Sequence, residues 1–120
     1  MTERLEQFRR FREKMNKRIL DQGHKGIQRF FAIDGQAYME GVLPRKTKEM
    51  LGLASSMVLR CDDCIAYHLV RCKEEGCTRD ELMEVFNVGL VVGGSIVIPH
   101  LRRAVALLDE LEGVSSGEDT

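Results

Sequence analysis

Cys61-Asp62-Asp63-Cys64-Ile65-Ala66-Tyr67-His68 decides how the chain is read. Two thiols stand three residues apart, and an imidazole follows the second by four. On a helix, such spacings put all three side chains on one face. Cα atoms three apart on a helix lie roughly 5 Å from one another, within the span a disulfide tolerates. Cys61 and Cys64 can therefore bridge and open with little backbone movement. A helix start also favours a thiolate, through unpaired N–H groups and the dipole. Lowering a thiol pKa by two units needs about 2.7 kcal/mol. A helix terminus supplies about 0.3–1, or about 2 when partly buried. A second contributor is required, and His68 is the candidate.

Upstream, Lys46 to Leu59 reads as the third helix, with Met50, Leu51, Leu53, Ala54, Met57 and Val58 facing inward and Pro44 at its start. Glu49 and Ser56 share a face of it. If the third and fourth helices pack antiparallel across the short junction at Arg60 to Asp63, Glu49 reaches His68 and orients the ring. Asp62 or Asp63 is expected to cap the fourth helix. Asp63 is read as a cap facing water, with membership of the proton relay as the alternative.

Further out, Leu5, Phe8, Phe11, Met15 and Ile19 give a first amphipathic helix closed by Asp21-Gln22-Gly23. Gly26 adds a break, and a second helix runs from Ile27 to Glu40. The fourth helix ends at Gly76. Thr78-Arg79-Asp80-Glu81 is a capping box that opens a fifth, with Leu82, Val85, Phe86 and Leu90 buried. Gly93-Gly94 interrupts the chain before a last helix from Pro99 to Leu111. No segment alternates with period two; Val88 to Ile98 is β-branched but has no partner strand. The expectation is an all-α fold of about six helices, with one domain over residues 1–112 and a disordered tail over 113–120.

The 120 residues carry 18 Lys and Arg against 19 Asp and Glu, so no global field favours nucleic acid. The basic N-terminal run is interleaved with Glu3, Glu6 and Glu13, as on a solvated helix face. Neither a signal peptide nor a membrane span is legible, and a cytoplasmic location is expected. In a reducing compartment, Cys-x-x-Cys points to catalysis or metal binding rather than to a staple.

Zinc is the rival reading: Cys61, Cys64, Cys72 and Cys77, or three of them with His68, could form a site. It is less favoured because the second thiol heads a strong helical pattern, so neither metal nor cofactor is expected. Cys72 is assigned to the core beneath the site and Cys77 to a turn, as incidental. His100 is read as structural or incidental, His24 as a loop residue, and Met39, Met50, Met57 and Met83 as core.

Leu43-Pro44-Arg45-Lys46-Thr47-Lys48-Glu49-Met50-Leu51, followed by the Cys61 to His68 stretch, resembles the carboxymuconolactone decarboxylase superfamily in its alkylhydroperoxidase D-like branch. The resemblance extends from Leu43 to Leu108. It implies an alkylhydroperoxidase D-like helical fold and a homo-oligomer, trimer or hexamer. It implies Cys64 as the thiol that meets a peroxide or partner disulfide, Cys61 as the second thiol, and His68 and Glu49 as the proton relay. One position departs: Asp63 stands where alkylhydroperoxidase D has histidine. The functional expectation is a dithiol/disulfide oxidoreductase of peroxidase-like, antioxidant type, acting on a peroxide or disulfide and served by a protein thiol reductant. A decarboxylase or lactone-acting enzyme is the alternative within the superfamily. A zinc-stabilised or non-catalytic structural oligomer is the alternative outside it. Phe30, Phe31 and the first helix offer more apolar surface than a small monomer needs.

Overall fold

The structure is a computed structural model that describes residues 3–114. Among these, six α-helices form and there is no strand: α1 Glu3–Asp21, α2 Lys25–Ala37, α3 Arg45–Val58, α4 Asp62–Glu74, α5 Arg79–Gly93 and α6 Ile98–Glu112. The all-α architecture expected from periodicity is the one observed, with Cys61 and Cys64 at the start of the fourth helix. The tail expected from residue 113 lies, beyond 114, outside the described residues. No helix among the described residues is long and apolar enough to cross a membrane.

The chain divides into two compact units, residues 1–39 and 40–120. The first contains α1 and α2. Gly23, at φ 75°, ends the turn between them. His24 lies in the connection between the two helices, where its Nδ1 accepts the Ile27 N–H at 3.3 Å and caps α2. With that cap in place, α2 runs through Gly26 rather than breaking there. Phe11, Phe30 and Ile33 are exposed.

In the second unit, α3 packs against α4 and α5, and α4 packs in turn against α6. Leu53 and Met57 from α3, Ile65 and Leu69 from α4, Leu82 and Phe86 from α5, and Val97, Ala104 and Leu108 form the core. Leu51 lies on the opposite face of α3 and is exposed, as are Met39 and Met83, so the inward stripe is narrower than the apolar pattern. The capping box of α5 forms in full: Thr78 Oγ1 accepts the Glu81 N–H at 3.1 Å, and Glu81 Oε1 accepts the Thr78 N–H at 2.8 Å. The β-branched run from Val88 completes α5. Gly94, at φ 84° and ψ −174°, then turns the chain into a short 3-10 segment, Ser95–Val97. Only glycine adopts such a pair of angles at low cost.

Both ends of α4 are set by helix stops of one type. After α3, the Cys61 N–H donates to the Ser56 carbonyl at 3.1 Å and the Arg60 N–H to Met57 at 3.0 Å. After α4, the Cys77 N–H donates to Cys72 and the Gly76 N–H to Lys73 in the same pattern. This is the Schellman arrangement, whose pivot residue is left-handed. Gly76 fills it at φ 87°, as its sequence position predicts, but at the first stop the pivot is Arg60, at φ 59°. Outside glycine that conformation is uncommon and costs about 1–2 kcal/mol.

Candidate functional site

The Arg60 turn delivers Cys61 in an extended conformation (φ −106°, ψ 98°), the pose a helix cap requires. Cys61 Sγ accepts the Cys64 N–H at 3.2 Å. The cap of α4 is therefore Cys61, not Asp62 or Asp63. Both carboxylates fall inside the first turn, where they favour the helix through its dipole. Cys61 and Cys64 are joined as a disulfide, with Cα atoms 5.3 Å apart. Cys64 is exposed and Cys61 half-buried.

One turn further along α4, His68 is buried and meets Glu49 of α3, with Nδ1 2.8 Å from Oε1. Glu49 is itself 1% exposed. Two helices bring the pair together across 19 residues of chain, as antiparallel packing of α3 and α4 requires. The register confirms that direction: Gly52 lies against His68, and Glu49, three residues earlier, lies near Arg71, three residues later. A carboxylate at Glu49 accepts from Nδ1 of His68, since an ionised carboxylate can only accept.

Gly52 is what lets the ring in. A Cβ built there would stand 2.8 Å from His68 Cε1 and 2.9 Å from Nδ1. Ser56, one turn on, donates its hydroxyl to the Gly52 carbonyl at 2.7 Å. Tyr67 sits edge-on to the His68 ring, with centroids 5.1 Å apart.

The sequence reading missed two residues, Arg71 and Arg103. Arg71 places its Nε 3.6 Å from Glu49 Oε2 and its Nη1 2.6 Å from Glu74. The spacing of three along α4 between His68 and Arg71 was the available signal. His100 and Arg103 of α6 both reach Asp62: His100 Nδ1 to Oδ1 at 2.7 Å, and Arg103 Nε to Oδ2 at 2.8 Å. His100 thus anchors the start of α4, a structural role with a named partner. Partial burial pushes the Asp62 carboxyl up, but the His100 hydrogen bond and the Arg103 charge outweigh it and hold it below its ordinary value. Asp63 is exposed and forms no part of this cluster.

Cys72 and Cys77 lie at the other end of α4, some eleven residues or about 16 Å from Cys61 along the axis. The four sulfurs therefore do not assemble into one zinc site. Among the described residues, no group of three or more His, Cys, Asp and Glu is placed to hold a metal ion. Cys77 lies just after the turn that ends α4, is buried, and neighbours Cys72. Burial pushes both thiols up, which leaves them poor nucleophiles at neutral pH.

The model of the carboxymuconolactone decarboxylase family matches residues 27–107. "Uncharacterized protein 4 in cox locus" of Paracoccus denitrificans is 30% identical over 84 residues, which is 70% of this chain and 76% of that protein. A crystal structure of a Thermotoga maritima protein is similar at a TM-score of 0.87 and 52% identity, over 89% of this chain and 94% of that one. A second structure of it, at TM-score 0.86 and 51% identity over 89% and 91% of the two chains, carries the description of a carboxymuconolactone decarboxylase family protein "possibly involved in antioxidative response". A Legionella pneumophila protein of that family shares the fold at TM-score 0.77 and 23% identity, over 96% of this chain and 100% of its own.

Proposed function

The chain belongs to the carboxymuconolactone decarboxylase family, and we propose that within it this protein is a dithiol/disulfide oxidoreductase of peroxidase-like, antioxidant type. The observation that carries this reading is the Cys61–Cys64 disulfide at a helix start, one turn from a buried His68–Glu49 pair. A structural staple has no use for a buried base and carboxylate beside it.

In the reduced protein, the exposed Cys64 is the sulfur that an external oxidant can reach. Its thiolate attacks one oxygen of a peroxide, the O–O bond breaks, and the leaving alkoxide or hydroxide takes up a proton. The Cys64 sulfenic acid then reacts with the Cys61 thiol, forming the disulfide and releasing water. A dithiol reductant, small or protein-borne, restores both thiols and leaves as its own disulfide. His68 takes the thiol proton and returns it to the leaving oxygen, while Glu49 holds the ring in the tautomer that does so. A partner disulfide in place of the peroxide is attacked by the same thiolate. The Thermotoga maritima relative's antioxidative description supports this reading.

The reading extends to a cytoplasmic homo-oligomer, a trimer or hexamer. Val88, Val91 and Val92 of α5 and the nearby Ile96 are all exposed, an apolar stretch that a second copy would cover. Light scattering at several concentrations tests that part.

Peroxide consumption with a small dithiol as donor tests the chemistry. Cys64→Ser should abolish it. Unchanged turnover in that variant would sink the mechanism, and decarboxylase or lactone-acting activity that survives loss of both thiols would favour that alternative.

A further inference from the structure

Arg71 Nε is a buried donor with no hydrogen-bond partner among the described residues. Such an atom in a native fold calls for an explanation. Its nearest recorded charge is Glu49 Oε2 at 3.6 Å, too long for a hydrogen bond but close for an ion pair. Glu49 is enclosed, and a buried carboxylate must be balanced by a cation or else take up a proton. His68 contacts one of its oxygens and Arg71 faces the other, so the two residues divide the carboxylate between them.

The charge count decides what each one does. With Arg71 positive and Glu49 negative, the buried cluster is neutral when His68 is neutral. Without Arg71 the same cluster carries a net negative charge, and the simplest repair is protonation of His68. We propose that Arg71 is a positioning residue of the relay: it supplies the cation that balances Glu49, and thereby holds His68 as a neutral base with its proton on Nδ1. This rests on the oxidoreductase reading of the site for its purpose, though not for its geometry.

Other charges do not replace Arg71. Glu74 takes its Nη1 at 2.6 Å and Glu75 lies 4.0 Å from Nη2, so both engage guanidinium nitrogens other than the Nε that faces Glu49. Glu74 is about half exposed, at 48%, and water screens it. Glu49, at 1%, has no such screening. The Cys72 thiol, whose ordinary value burial raises, brings no charge to the cluster at neutral pH.

Imidazole ¹⁵N spectra of the oxidised protein at pH 7.5 provide the test, with helicity checked by circular dichroism. Wild type should show His68 with a single proton, on Nδ1. Arg71→Met and Arg71→Gln should convert it to the doubly protonated ring, while Arg71→Lys and Glu74→Gln keep the wild-type pattern. A doubly protonated His68 in wild type overturns the proposal, even if no variant folds. So does a wild-type pattern in folded Arg71→Met or Arg71→Gln. Thiol-dependent turnover should fall about tenfold in Arg71→Met and recover in Arg71→Lys. Absence of turnover in wild type would count against the oxidoreductase reading alone, because the ring spectra need no turnover.

Discussion

His68 Nδ1 and Glu49 Oε1 meet at 2.8 Å inside the helical pair formed by α3 and α4, one turn beyond a disulfide that faces solvent. The disulfide includes the exposed Cys64, while the His68–Glu49 pair is shut away from water. A packed core gains nothing from burying a carboxylate and an imidazole together, since apolar residues of similar volume are as stable or better.

Glu49→Gln keeps the shape of the carboxylate and removes its charge. The amide still accepts from Nδ1, but it no longer favours an imidazolium forming during proton transfer. Turnover should drop by about ten- to a hundredfold while helicity is retained. Stopped-flow oxidation of the reduced protein checks this, and an unchanged rate would remove Glu49 from the relay.

Gly52→Ala introduces a methyl where the His68 ring lies, with Cβ to Cε1 at 2.8 Å. The ring must rotate or the helices must part. Overpacking of this kind costs about 1–3 kcal/mol. Urea unfolding should show that loss, and the ring displacement should slow turnover as well.

Arg60 occupies the left-handed pivot between α3 and α4 at φ 59°. Arg60→Gly removes the side-chain penalty but adds freedom to the unfolded chain, so the net gain should be about 0.5–1 kcal/mol. A lowered urea midpoint would mean that the arginine side chain contributes contacts outweighing its backbone cost.

Asp62 is held below its ordinary value by His100 and Arg103, against the upward push of partial burial. A carboxyl depressed on folding contributes stability above its unfolded value and loses it as pH falls through the folded one. The contribution is thus present at neutral pH and is lost as the pH falls below the ordinary carboxylate range and through the lowered value. Its 47% exposure limits it to about 0.2–1 kcal/mol. Thermal unfolding of Asp62→Asn should lie below wild type at pH 7 and converge with it in acid. A gap that persists in acid would contradict this assignment.

Much of the site could be read from one sequence because its members obey short-range rules. Cys61, Cys64 and His68 follow helical spacing, and Glu49 follows from a junction too short for anything but antiparallel neighbours. Glycine at Gly76 and the Thr78–Glu81 box announce their geometry directly. Other features depend on partners distant in the chain. Asp62 looked like a cap until α6 supplied His100 and Arg103, and the cap passed to Cys61 because Arg60 adopts a conformation that arginine seldom takes. Gly52 looks like a weak helix residue until the ring it admits is seen. Arg71 looks like one more surface charge until its Nε is found buried beside Glu49.

The most direct test of the central claim is a redox titration with thiol mapping on wild type and on Cys61→Ser and Cys64→Ser. The expected result is one two-electron couple that maps to Cys61 and Cys64 and vanishes in either variant, while Cys72 and Cys77 resist alkylation until the protein unfolds. A Cys61–Cys64 bond that neither opens nor closes between reducing and oxidising glutathione buffers would contradict a working dithiol.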